Sequence, residues 1–297
     1  MRRADARDLG PTFVHLRLHT EYSLVDGIVR VPALMRAVVE AGMPAVALTD
    51  QSNLFAMVKF YREAQRHGVK PVIGVDVWLR EEGDRTEPTR LTLLAQGLSG
   101  YRNLTRLVSR SYLEGQDRGR PLVERAWLDQ VTTAGLIALS GAGEGDIGRA
   151  LAAGRSEEAR GLLAAWLALF GDRYYLEIQR TGRPGEDPHV AAVLALIAEL
   201  PAPIVATNDV RFLARDEFEA HEARVCIHDG ARLDDPGRPR RYTPEQYLKS
   251  PAEMAELFAD LPEALANSVE IARRCSLALT LGRSFLPVFE VPDGSTV

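Results

Sequence analysis

The chain has 297 residues, 46% of them apolar and 7% aromatic, which is enough to bury a full core in one large α/β domain or in one domain with a small appendage. Its 41 acidic residues outweigh 36 basic ones, and the net charge of −5 has the wrong sign for a domain whose main surface grips a phosphate backbone, which argues against strong, direct nucleic-acid binding. The two lone cysteines, Cys226 and Cys275, lack CxxC spacing, the N-terminus lacks an apolar signal core, and no apolar run reaches the roughly 18 residues of a membrane span. A reducing cytoplasm is therefore the expected setting.

In chain order, short apolar runs alternate with helical patterns. Phe13-Val-His-Leu-Arg-Leu-His19 alternates apolar and polar residues with the period of a strand, which predicts His15, Arg17 and His19 on one face, converging on a site. A helix is expected over 31–41, ended by Gly42, followed by a buried strand over 43–49 that delivers Asp50 and Gln51 at its end. A second helix over 53–67, closed by Gly68, leads into a strand over 70–78 that carries Asp76. The charged stretch 80–88 contains Gly83 and Pro88 and is expected as an exposed loop or hairpin before a strand over 90–95.

Further strands are predicted at 135–140, 174–178 and 203–207, with Ala/Leu-rich or amphipathic helices between them. Polar residues gather just after the strands, as in a parallel α/β sheet or barrel whose site lies at the strand C-termini. Beyond Asp216 the pattern turns helical, with helices expected over 216–228, 251–258 and 262–275. The final 287–297 stretch has two prolines and no helical period, and it has the composition of a linker.

Six segments now carry a family resemblance: Phe13-Val-His-Leu-Arg-Leu-His-Thr-Glu-Tyr-Ser-Leu-Val-Asp-Gly27, Ala47-Leu-Thr-Asp-Gln-Ser-Asn-Leu54, Gly68-Val-Lys-Pro-Val-Ile-Gly-Val-Asp76, Leu139-Ser-Gly, Ala206-Thr-Asn-Asp-Val-Arg211 and Ala264-Leu-Ala-Asn-Ser-Val-Glu-Ile-Ala272. In this order they are similar to the polymerase-and-histidinol-phosphatase (PHP) domain, in the form found at the N-terminus of replicative DNA polymerase III α subunits of proteobacteria. The resemblance implies a distorted TIM-like (β/α)7 barrel over 1–280 with a helical C-terminal extension, and a linker over 281–297 leading toward a polymerase module. Metal-binding members of the family carry His-x-His, Asp-His, Glu and further His, Cys, Asp and His ligands. The matching positions here hold Arg17 and His19, Asp26, Asp50 and Gln51, Asp76, Arg90, Ala142, Asp209 and Arg211.

The departures carry the chemistry. An imidazole donates a lone pair to a metal, whereas a guanidinium has only N–H donors and brings a positive charge to the place of the cation. His19, Asp26, Asp76 and Asp209 can still ligate, but a multinuclear centre with open positions needs more neutral imidazoles than remain. Taken together, Arg17, Arg90 and Arg211 with several carboxylates at strand ends point to an ion-pair network in a former metal pocket. Taken singly, Asp26-Gly27 and Thr207-Asn-Asp are ordinary turn sequences.

Several other features read as structure. His15, His67, His189, His221 and His228 show no ligand spacing as a set, and Cys226 has no adjacent base. Gly141-Ala-Gly-Glu-Gly145 lacks the Lys-Ser/Thr of a phosphate loop and is expected as a strand-to-helix turn; Trp166, Tyr174 and Tyr175 are expected in the core. The resemblance implies a non-catalytic scaffold with no metal or cofactor of its own, joined in cis to the rest of the α subunit and docking the proofreading exonuclease (ε) subunit. The Mg2+ ions of polymerisation would belong to the palm, outside this chain. The alternative is a metal-dependent phosphoesterase or pyrophosphatase with a reduced metal site.

Overall fold

The computed structural model describes residues 12–81 and 87–284. Its elements run α1 (Val31–Glu40), β1 (Ala45–Leu48), α2 (Met57–Arg66), β2 (Lys70–Arg80), β3 (Thr89–Ala95), α3 (Leu98–Leu113), β4 (Gln116–Asp117) and β5 (Arg120–Glu124). They continue with β6 (Leu136–Leu139), α4 (Asp146–Ala152), α5 (Ser156–Phe170), β7 (Tyr174–Gln179), α6 (Glu186–Glu199), β8 (Ile204–Thr207), α7 (Phe218–Asp229), α8 (Pro251–Leu257) and α9 (Pro262–Arg274). Strand order is β1-β2-β3-β6-β7-β8, with the small β4–β5 hairpin attached to the far end of β2.

The segment from Phe13 to Thr20 closes this sheet into a barrel. On one side it accepts from β1, where the amide of Ala47 reaches the His15 carbonyl at 2.8 Å; on the other, the amide of His19 reaches the Val210 carbonyl at 2.9 Å. It forms isolated bridges at Leu18 and Thr20 rather than a continuous strand. Apart from the antiparallel β4–β5 hairpin, neighbouring pairs are parallel except those of β3, which is antiparallel to both β2 and β6. Because β3 runs the other way, its second residue, Arg90, lies at the end of the barrel where the other strands finish.

The interior has two layers. Val14, Leu16, Val72, Leu94, Ile137, Leu139 and Val205 pack with Val269, Ile271 and Ala272 of α9 and with Cys275 just after it. Ser268 of α9 also accepts from the Val14 amide at 3.0 Å, so this helix seals the end of the barrel where the strands begin. At the other end the buried side chains are charged: Arg17, Asp76, Glu177, Asp209 and Arg211. Outside the strands, α1 and α2 cover β1 around Leu34, Val38 and Phe60, and the helices from α3 to α6 cover the opposite side around Leu104, Leu163 and Trp166.

Gly42, at φ +67°, ends α1 as expected, since a side chain there would be strained. The second helix starts at Met57 rather than at 53. Asn53 accepts from the Phe55 amide at 3.0 Å and donates to the carbonyls of Tyr22 and Gln51, which holds 53–56 in a turn. Strand β2 extends to Arg80, and the β4–β5 hairpin is an addition to the expected pattern. Part of the expected 80–88 loop and all of the 287–297 linker lie outside the described residues. Trp166 and Tyr174 stack in the core with centroids 5.5 Å apart, and Tyr175 is buried. Both cysteines are buried and free, and burial pushes the Cys275 thiol up to about 12. Among the described residues no helix is long and apolar enough to cross a membrane.

Candidate functional site

Seven of the ten expected positions converge in the polar layer. Arg17 is fully buried and splits its guanidinium among the carboxylates of Asp209 (Nε, 3.1 Å), Glu177 (Nη1, 3.3 Å) and Asp76 (Nη2, 2.9 Å), with Glu144 at 3.6 Å. Asp76 Oδ2 also takes His19 Nε2 at 3.1 Å and a short hydrogen bond from Arg90. The Arg90 guanidinium lies over the Trp78 ring, 4.2 Å from its centroid. Arg211 donates through Nη2 to Asp209 at 2.7 Å, while its Nη1 meets Asp26 and the Nδ1 atom of His19. His19 thereby bridges Asp26, at 2.8 Å, and Asp76.

Electrostatics follow from this geometry. Burial alone would raise the carboxyls of Asp26, Asp76 and Asp209, but the adjacent arginines outweigh it and hold all three well below the usual carboxylate range. Burial would likewise lower Arg17 and Arg211, and their carboxylate partners raise both. Several charges meet in one centre, so Arg17, Arg211, Asp26, Asp76 and Asp209 each have more than one partner for their desolvated charge.

The other three positions lie at the edge of this centre and do not join its ion pairs. Asp50 turns to the Thr20 amide (2.6 Å), the Thr20 hydroxyl (2.8 Å) and the Ser23 hydroxyl (3.0 Å); burial outweighs these bonds and raises its carboxyl. Gln51 pairs its backbone with Asp76 and donates its amide to the Ser23 hydroxyl at 3.0 Å, while its side chain lines the adjoining cavity. Ala142 sits at φ +49° in a 3-10 turn between β6 and α4, so Gly141 to Gly145 is the strand-to-helix turn expected. His15 departs from the convergence predicted for the first segment: its Nε2 lies 2.8 Å from the Lys249 carbonyl, away from the ion pairs. His67, His189 and His221 each meet a backbone carbonyl, of Glu63, Glu177 and Asp26 respectively, and His228 lines the cavity.

Five participants were not singled out from sequence. Glu177 is fully buried in β7, and a lone carboxylate within Tyr-Tyr-Leu-Glu-Ile was the available signal. Glu144 and Arg183 pair at 3.6 Å, and Arg183 lies 3.6 Å from Asp209. Tyr242 donates to Asp26 at 3.1 Å and Gln246 to Asp209 at 2.8 Å. These last two come from an irregular segment more than thirty residues further along, so no local pattern announces them.

Above the centre lies a cavity of about 600 Å3, with Asp26, Trp78, Arg90, Arg183, Arg211 and Tyr242 among its lining residues. Among the described residues no three His, Cys, Asp or Glu side chains are arranged to hold a metal ion. The carboxylates that would do so are already engaged by guanidiniums, and a cation would have to displace one. The residues present therefore do not fit a multinuclear metal cluster.

The comparisons with known proteins agree with the resemblance. The PHP domain family matches residues 15–181. DNA polymerase III subunit α of Pseudomonas aeruginosa is 55% identical over 283 residues, covering 95% of this chain and 24% of that one. The same subunit of Escherichia coli K12 is 48% identical over 286 residues, covering 96% and 25%. The chain thus spans about a quarter of the length of these curated relatives. Among solved structures, an amidohydrolase from Chromobacterium violaceum is similar at a TM-score of 0.46 and 14% identity, over 71% of this chain and 96% of that one.

Proposed function

The chain belongs to the PHP domain family, and from that premise we propose that it serves DNA replication in the bacterial cytoplasm as the catalytically inactive PHP scaffold of a polymerase III α subunit. It supports the polymerase module in cis and docks the proofreading exonuclease subunit. The observation that carries the inactive reading is the guanidinium occupancy of the centre: Arg17 and Arg90 take up Asp76, and Arg211 takes up Asp26 and Asp209. A buried arginine is always charged and cannot yield a lone pair, so the position cannot be switched back to metal binding by pH. The polymerase and exonuclease partnerships are supported by the α-subunit relatives and by the family resemblance.

Elemental analysis of the purified chain, a phosphatase assay and a pull-down with the exonuclease subunit test this together. The expected result is substoichiometric transition metal, no phosphate release above buffer and retention of the exonuclease. Two or more tightly held metal ions per chain, or metal-dependent phosphate release, would establish the competing reading of a phosphoesterase or pyrophosphatase. What favours that competitor is the cavity of about 600 Å3, which leaves the centre open to a small substrate.

A further inference from the structure

Helix α3 presents two unlike faces. Gly100, Leu104, Leu107 and Ser111 are buried at helical spacing, and Gly100 lies so close to the backbone of Gly135 that a Cβ would fall 1.9 Å from its carbonyl oxygen. This face is pressed onto the barrel. Residues two positions either side of Leu104 point the opposite way, roughly 160° around the helix axis. They are Arg102 and Arg106, and both are exposed.

The outward face is basic and apolar at once. The helix contains three arginines, no lysine and no Asp or Glu. Arg110 pairs with Glu114, just beyond the helix, at 2.7 Å and lies 4.1 Å from the centroid of Trp127. Arg102 and Arg106 have no carboxylate partner among the described residues. Leu98 and Leu113, at the two ends of α3, are 47% and 83% exposed. Beside the helix, Asn103 donates to the carbonyls of Val131 and Ala134, both at 2.9 Å, which pins the turn carrying Val131, itself 76% exposed.

Unpaired arginines call for an anionic partner, and the apolar side chains among them narrow its kind. A leucine gains nothing from a phosphate backbone, whereas protein interfaces favour arginine over lysine and bury exposed apolar side chains. The net charge of −5 also weighs against nucleic acid. We infer that the outward face of α3 docks an acidic protein segment bearing apolar side chains. Its carboxylates pair with Arg102 and Arg106, about 6 Å apart along the helix, and its apolar side chains cover Leu113 and Val131. This rests on the reading that the chain docks the exonuclease subunit, and it assigns that subunit's contact to α3.

The test is calorimetric titration of the exonuclease subunit into the chain, into an Arg102→Glu/Arg106→Glu variant and into Leu113→Ser. All three side chains are exposed, so thermal melts should match that of the unmodified chain. Affinity should fall at least about tenfold on charge reversal and about tenfold in Leu113→Ser. An Arg155→Glu/Arg160→Glu variant on α5 makes the same change in net charge on exposed arginines elsewhere and should bind as the unmodified chain does. Full binding by both α3 variants, or an equal loss in the α5 variant, would overturn the assignment to α3 and leave the docking reading in place. No binding by the unmodified chain would overturn both. A single-stranded oligonucleotide titrated in parallel should show no dependence on Arg102 and Arg106. If it alone depends on them, the face serves nucleic acid and the inference falls.

Discussion

Asp76 and Arg17, both fully buried and 2.9 Å apart, hold the polar layer together: the same carboxylate oxygen also receives Arg90 and His19, and the same guanidinium also reaches Glu177 and Asp209. Asp76→Ala leaves Arg17 and Arg90 without this shared anion in a buried site, a loss of about 3–5 kcal/mol. Asp209→Ala should fall in the same range, since Asp209 meets Arg17 and Arg211. Urea unfolding of both variants checks this, with a chelator added to the unmodified chain as a control expected to change nothing. Unfolding midpoints that match the unmodified chain would remove the ion pairs from the account of stability.

The pH dependence has several separate sources. Burial pushes the His15 imidazole from 6.5 down to about 4, against the bond that it makes to the Lys249 carbonyl. Protons then bind preferentially to the unfolded chain between these values, so the stability that neutral His15 contributes above pH 6.5 is lost as pH falls toward 4. The loss from this group is about 3 kcal/mol. Asp26, Asp76 and Asp209 have depressed carboxyls, and their contribution disappears only below the unfolded carboxylate value, in strongly acidic solution. Asp50 and Asp146 are raised by burial and act in the opposite sense as they protonate. Urea midpoints measured from pH 7 to pH 4 should therefore decline, and a His15→Gln variant should show a flatter profile in that window. An equal slope in both would assign the decline to other groups.

Much of this architecture could be read from periodicity, and the exceptions have physical causes. Apolar runs bounded by Gly42 and Gly68 located α1, β1 and the end of α2, because a left-handed glycine is a local signal. The antiparallel sense of β3 could not be read, since a buried strand has the same residue pattern in either direction. Within the centre, Arg17, Asp76 and Arg211 were recognisable because each stands where an apolar strand ends or a ligand is expected. Tyr242 and Gln246 approach from a segment with no period, and only the folded backbone brings them to Asp26 and Asp209.

The β4–β5 hairpin offers an independent check on backbone geometry. Its turn places Arg118 at φ +50° and Gly119 at φ +80°, and the first is a strained conformation for a side chain other than glycine, asparagine or aspartate. Arg118→Asn should relieve this strain and stabilise the chain by a few tenths of a kcal/mol up to about 1 kcal/mol. A thermal melt that moves down instead of up would show that Arg118 makes contacts outweighing the strain.

The remaining prediction concerns rebuilding the centre. Arg17→His, Gln51→His, Arg90→His and Arg211→His together remove the three guanidiniums that hold Asp26, Asp76 and Asp209, and they place imidazoles beside His19. Without metal this variant should be less stable than the unmodified chain, because buried carboxylates now face one another with Arg183 as the nearest remaining guanidinium, 3.6 Å from Asp209. Zinc or manganese should then restore stability, by about 2.7 kcal/mol when the free ion is 100 times its Kd. Recovery of hydrolysis is a stricter demand, since the partners that orient the ligands are worth about 10–100-fold in affinity or activity. Asp50, which orients Thr20 and Ser23 instead of a ligand, is where that deficit should lie. Calorimetric titration and thermal melts of the fourfold variant, with the unmodified chain as control, decide the matter. A folded variant that gains neither metal affinity nor metal-dependent stability would mean that these strand ends no longer present their side chains in the geometry that a cation requires.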